Sequence, residues 1–203
     1  MALTLNGSTN AIAGLAVGGL PDGIVDTDML AAGAVTGVKQ GNGSIVQVKQ
    51  TVNSAQASEA VSDSTFEDIS GLSVSITPTT TTNNILVSYK VAMASTKGLY
   101  NTFIRIVRDS TAIGIGDATD SRPRVTTYHP TGPTAWNDYE VIHHSNMFLD
   151  NPVGFNLGDS LTYKLQWTDS YSQTFYLNRS INNGDGKYYP TQISQITVME
   201  VVA

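Results

Sequence analysis

The sequence predicts an all-β protein, an antiparallel β-sandwich or jelly roll preceded by an extended N-terminal arm. Three observations carry this. Short runs rich in Val, Ile, Thr, Tyr and Phe follow one another from residue 44 onward, each closed by turn chemistry. No segment of helix length shows a sustained 3.6-residue apolar period there. All nine Tyr, five Phe and two Trp lie at or beyond Phe66, so the residues that dominate core packing belong to one domain. The boundaries that follow are residues 1–43 for the arm and 44–203 for the sandwich knob.

The elements are justified in order. Ile45–Val52 alternates over its second half as a half-buried strand does. Phe66–Ile69 is a short piece ended by Ser70-Gly71, and Leu72–Thr77 alternates strictly until Pro78 stops it. Ile85–Met93 has the densest strand composition. Asn101–Arg108 and Thr111–Ile115 flank the turn Asp109-Ser110. Residues 116–138 read as a long loop with Pro123, Pro130 and Pro133. Tyr139–Asp150, Leu161–Thr168, Thr174–Arg179 and Ile193–Val201 complete about eight or nine strands, a pattern of sandwiches and jelly rolls. The last strand is best protected inside a sheet, between neighbours.

The arm has a different physical character. It is rich in Gly and Ala, with turns at Asn6-Gly7, Gly18-Gly19, Pro21-Asp22-Gly23 and Gly41-Asn42-Gly43. Leu15, Val17, Leu20, Ile24, Val25, Met29, Leu30 and Val35 are too many apolar residues for a solvated linker and too little bulk to bury themselves. The expectation is an oligomerisation or docking arm that covers these residues on another chain; the alternative is a plain N-terminal strand pair on the same domain. Asp26–Gly33 reads as a short helix, with an Asp cap, a Leu/Ala body and a Gly stop.

Composition excludes several classes. The net charge is −6 with no Lys/Arg cluster, which argues against nucleic-acid binding. The absence of cysteine removes disulfides, thiol catalysis and cysteine metal sites. No apolar run reaches the length of a membrane span, and the first lysine is Lys39, so no basic secretory signal is expected. Charged residues are only 14%, with Ser, Thr, Asn and Gln supplying the polarity.

Chemistry-bearing constellations are sparse. His143 and His144 are neighbours on a strand and point to opposite faces, so they do not ligate one metal. The acidic residues stand singly on turns, and Asp117 and Asp120 share a loop as turn residues rather than as a glycosidase pair. No G-x-S-x-G elbow exists. Gly114-Ile115-Gly116 lacks the rest of a dinucleotide fingerprint. Asn182–Gly186 lacks the bidentate Glu of a calcium loop. No cofactor, metal or catalytic residue is assigned. The candidate receptor or subunit contacts are Arg122, Arg124, Tyr128, His129, Trp136 and Tyr139 in the long loop, with Tyr171 and Tyr176 in a second aromatic cluster. Arg, Tyr and Trp are the side chains that anchor interfaces.

Two stretches carry a resemblance. Residues 11–38, from Ala11-Ile12-Ala13-Gly14-Leu15 through Leu20-Pro21-Asp22-Gly23 to Ala34-Val35-Thr36, form one. The other is a series of motifs: Gly71–Pro78, Asn84–Val87, Arg105–Gly114, Leu177–Ser180 and Ile196–Val201. Together the chain resembles virion structural proteins of tailed bacteriophages, especially marine and cyanobacterial ones, of a tail-fibre-like kind with a C-terminal jelly-roll knob. The resemblance implies a non-enzymatic homotrimer that is assembled in the host cytoplasm and released by lysis as part of the virion. It also implies attachment to a tail, adaptor or major capsid protein, and contact with a host-surface glycan or protein. The arm is short for a long fibre, so a capsid decoration protein clamped to the shell is the alternative. A carbohydrate-binding module or depolymerase domain is the third reading.

Overall fold

The computed structural model describes residues 4–6, 11–13, 41–96, 101–129 and 138–203. The chain divides into two compact units, Met1–Gln40 and Gly41–Ala203. In the first, β1 (Thr4–Asn6) pairs antiparallel with β2 (Ala11–Ala13). The apolar arm residues Leu15, Val17, Leu20, Ile24, Val25, Met29, Leu30 and Val35, and the helix expected over 26–33, lie outside the described residues.

The second unit is an all-β sandwich. Its strands are β3 (Ile45–Asn53), β4 (Ala57–Val61), β5 (Glu67–Ile76), β6 (Asn84–Ser95), β7 (Thr102–Arg108), β8 (Thr111–Ile113), β9 (Thr127–His129), β10 (Ile142–Asp150), β11 (Leu161–Thr168), β12 (Gln173–Leu177) and β13 (Ser194–Val201). The first sheet holds β10, β6, β13 and β3, with β12 and β4 continuing it beside the far half of β6. The second sheet holds β5, β11, β7 and, on the same edge of β7, β8 and β9. The antiparallel pairs are nested: β3 with β13, β5 with β11, β6 with β10, and β7 with β8. A long hairpin rolled into two sheets in this way is the jelly-roll topology. The final strand β13 lies between β3 and β6, as expected for protection of a terminal strand.

Alternation builds the core. Ile85, Val87, Tyr89 and Val91 of β6 and Ile196 and Val198 of β13 point inward from the first sheet. Leu72, Val74 and Ile76 of β5, Ile104 and Ile106 of β7, and Tyr163, Leu165 and Trp167 of β11 face them. Each such side chain contributes about 1.5–3 kcal/mol by leaving water. Trp167 stands edge-on to Phe175, with centroids 4.9 Å apart.

Several expectations are corrected. Gly71 does not end a strand. It sits inside β5 at φ 72°, and four β5 residues bulge opposite Leu165 before pairing resumes. The small polar β4 and the three-residue β9 were not legible as strands. β8 stops at Ile113 because Gly114 turns left-handed, with Phe148 against its Cα, and β12 stops at Leu177 because Asn178 does the same. The alternation of β3 also has an unexpected sense. Its core-side positions Gln47, Thr51 and Asn53 donate side-chain hydrogen bonds to the Thr77, Ser73 and Ser70 carbonyls of the β5 region, at 2.7–2.8 Å. Val48 and Val52 therefore face outward.

The opposite sandwich edge is closed similarly, by Asn146 Nδ2 on the Thr126 carbonyl at 3.0 Å. Where the chain joins the sandwich, Gly43 N–H donates to the Val202 carbonyl and Val202 N–H to that of Ser44. Beside this clasp lies Glu200, fully buried. Its carboxylate accepts from Gln47 Nε2, Asn83 Nδ2, Thr79 N–H and Thr79 Oγ1 at 2.7–2.8 Å. Burial alone raises its pKa, but these bonds outweigh burial and hold the carboxyl below its ordinary value. Its stabilisation is complete above about pH 4.5, the free-chain value, and drains as pH falls through the lower folded one. Glu200→Ala orphans several buried donors and is expected to cost about 3 kcal/mol or more in urea unfolding. A loss under about 1 kcal/mol would mean that water reaches these groups.

Candidate functional site

The two ends of the sandwich differ. The clasp of Gly43–Ser44 with Val202 marks one, together with loops 77–83 and 151–160 and the turn Asp109-Ser110. We call it the junction end. The other, the loop end, gathers the connections β4–β5 and β11–β12, the ends of β6 and β9 and the starts of β7 and β10.

The loop end is built on polar anchors. Asn178, fully buried and left-handed at φ 59°, roots the long β12–β13 connection. Its Nδ2 donates to the Asn53 and Ala55 carbonyls, its N–H to Ala92 O, and its Oδ1 accepts from Ser194 Oγ. Asp169, also fully buried, orders the β11–β12 turn. It accepts from Tyr171 N–H at 2.9 Å and Gln173 Nε2 at 2.6 Å. Asn101 spans to the same turn, donating from Nδ2 to Ser170 Oγ and accepting from Tyr128 OH at 2.7 Å.

On these anchors stand two aromatic groups. Tyr128 stacks on Phe103, with centroids 5.4 Å apart, on the outer face of the second sheet, and Tyr171 projects into solvent from the adjoining turn. Tyr139, Tyr188 and Tyr189 form the second group, Tyr139 lying 5.4 Å from Tyr189 and 6.2 Å from Tyr188. A hydrogen bond to Tyr139 raises the Tyr189 pKa. Lys187 Nζ lies 5.2 Å over the Tyr188 ring, and Asn182 ties this loop to Asp138. Gly184 leaves room for the Tyr189 ring, since a Cβ there would stand 2.9 Å from it and the ring would have to shift. The result is a set of exposed phenol rings with amide and carboxylate neighbours, which suits stacking on sugar rings and hydrogen bonding to hydroxyls.

The sequence-derived residues scatter over this surface. Tyr128, Tyr139 and Tyr171 reach the loop end and stay accessible. Tyr176 is half-buried, with the Arg179 guanidinium 4.6 Å over its ring. Arg124 Nε is engaged by the Gly116 carbonyl at 2.7 Å, within the β8–β9 loop on the flank of the sandwich, which also carries exposed Arg122. His129 turns inward against His144, so its ring is not displayed. Trp136 lies outside the described residues. Tyr188, Tyr189 and Lys187 were missed; the adjacent Lys-Tyr-Tyr after a glycine turn was their only signal.

Beneath the loops lies a buried polar row. Thr102 pairs with His129 across β7–β9, and the register that sets Phe103 opposite Thr168 places Asp169 on its other side. Thr102 and Asp169 are fully buried, which withholds this hydroxyl and carboxyl from any substrate. Among the described residues, no group of three or more His, Asp or Glu is placed to hold a metal ion. No protein-family model matches the chain, and no curated protein matches it.

The row gives a pH prediction. Burial, with the neighbouring His129 and His143, pulls His144 down to about 4 from 6.5. The unfolded chain thus binds this proton first, and His144 removes stability as pH falls across that window. Burial pushes Asp169 up to about 6 from 3.8, against hydrogen bonds from Tyr171 and Gln173, so Asp169 adds stability over nearly the same fall. Each effect is on the order of 3 kcal/mol, with opposite sign. His144→Gln is therefore expected to gain stability relative to wild type between pH 6.5 and 4, and Asp169→Asn to lose it. Denaturant titrations at several pH values check this; a difference independent of pH would show that neither group titrates as described.

Proposed function

We propose that this chain is a non-enzymatic virion structural protein of a tailed bacteriophage. In this reading it is a short trimeric fibre knob, attached through its N-terminal arm and recognising the host surface with its loop end. The observation that carries the reading is the opposed placement of the junction and the aromatic loops. The chain joins the sandwich where Gly43 and Ser44 bond Val202, and Tyr128, Tyr139, Tyr171 and Tyr188 are displayed at the other end. A knob held at one end presents the other to whatever the particle meets. Jelly-roll sandwiches serve as capsid and lectin domains, which is compatible with this use. Rigid aromatic side chains with few rotamers supply contact area at low entropic cost. The partners in this reading are two further copies, a tail or adaptor protein, and a host glycan or surface protein.

Two measurements test it. Copy number per virion, by quantitative mass spectrometry, is expected to be small and a multiple of three; hundreds of copies would favour the capsid decoration role. Tyr139→Ala with Tyr188→Ala is expected to leave incorporation into particles unchanged and to lower host adsorption at least tenfold, about 1.4 kcal/mol or more. Unchanged adsorption would remove the receptor role from this end.

A further inference from the structure

We propose that the outer face of the first sheet is the surface through which copies of this chain pack on one another; this rests on the trimeric reading and deepens it. Antiparallel sandwiches ordinarily turn polar residues outward. The second sheet obeys away from the Phe103–Tyr128 pair, with Ser73 and Ser75 of β5, Thr162, Lys164 and Gln166 of β11, and Arg105 of β7 outward; Asp68 there accepts from Lys164 Nζ at 2.7 Å and Gln166 Nε2 at 2.6 Å.

The first sheet does not obey. Leu149 of β10, Leu86 of β6, Met199 of β13 and Val48 of β3 lie side by side in one register row across four strands. Met147 on β10 and Ile45 on β3 adjoin this row, and Val52 stands beyond a row of Ser88, Thr197 and Gln50. Met147 is 65% exposed, Val48 52% and Leu149 50%. Among the described outward residues of these four strands, Lys90 is the single Lys, Arg, Asp or Glu.

Charge selects a second copy as the occupant. The chain carries net charge −6, so copies repel unless they meet through a surface free of acidic groups, and this face carries only the charge of Lys90. It offers no array of charge by which to choose an oppositely charged partner. Four strands at about 4.8 Å spacing and four rows about 6.8 Å apart give roughly 500 Å². Around a threefold axis each face is shared between two neighbours, so three faces bury about 1,500 Å² in all, about 500 Å² per pair of copies. The junction end adjoins the patch, since Ile45 pairs with Val201 one residue before the clasp.

The test uses the full chain. Sedimentation is expected to give a trimer of 21.6 kDa subunits, and peroxide oxidation of Met147 is expected to slow several-fold as concentration rises into the trimeric range. Val48→Lys with Leu149→Lys, both at exposed positions, is expected to sediment as monomer with unchanged circular dichroism and fast Met147 oxidation. A variant that stays trimeric, or wild-type Met147 that oxidises equally fast in monomer and trimer, overturns the face as interface and leaves the trimeric reading standing. A wild-type chain that is monomeric at every concentration overturns both.

Discussion

Two stacked sheets leave their edge strands with open carbonyls, and this sandwich closes them with side chains. Gln47, Thr51 and Asn53 of β3 reach across to the carbonyls of β5, and Asn146 of β10 reaches that of Thr126. At this exposed edge each such bond adds about 0.5–1.5 kcal/mol, and together they tie the rims of the two layers that the core holds face to face. They also account for the composition. Amides and hydroxyls bond carbonyls without the desolvation cost of a charge, which is why a chain with only 14% charged residues is rich in Asn, Gln, Ser and Thr. A further effect falls on β3. With its core-side positions given to edge closure, its valines have the outer face left.

The same chemistry anchors the two ends. Glu200 gathers β3, β13 and the loop before β6 at the junction, and Asn178 and Asp169 order the loops at the opposite end. These buried polar groups are each satisfied by several partners, so each fixes one geometry. The loops therefore carry exposed tyrosines on a base whose geometry these bonds fix.

Much of the fold was legible because alternation is a strong signal. β6, β7, β11 and β13 bury one face against the other sheet, and their apolar positions recur every second residue. β4 was not legible, since Ala57-Ser58-Glu59-Ala60-Val61 contains almost nothing bulky and is held by its pairing with β12. β9 owes its existence to pairing with β7, a contact distant in sequence. The inverted sense of β3 was hidden because period two does not say which side is inside. Of the site, the exposed tyrosines could be named from interface chemistry, but His129 and Tyr139 stand in one loop region and face opposite ways. Only the register of β9 and β10 decides that. Tyr188 and Tyr189 joined the site through ring contacts with Tyr139, which no local pattern announces.

The nested pairing of strands imposes an order in time. The inner pair β7–β8 closes over a two-residue turn, whereas β3 waits for β13, roughly 150 residues later, before its ladder exists. During synthesis the first sheet therefore lacks its middle member until the last strand has left the ribosome. A chain interrupted anywhere before β13 leaves β6 and β3 unjoined and Glu200 missing from its knot. Only a chain that includes β13 closes the first sheet, so the sandwich distinguishes a chain carrying this strand from a truncated one.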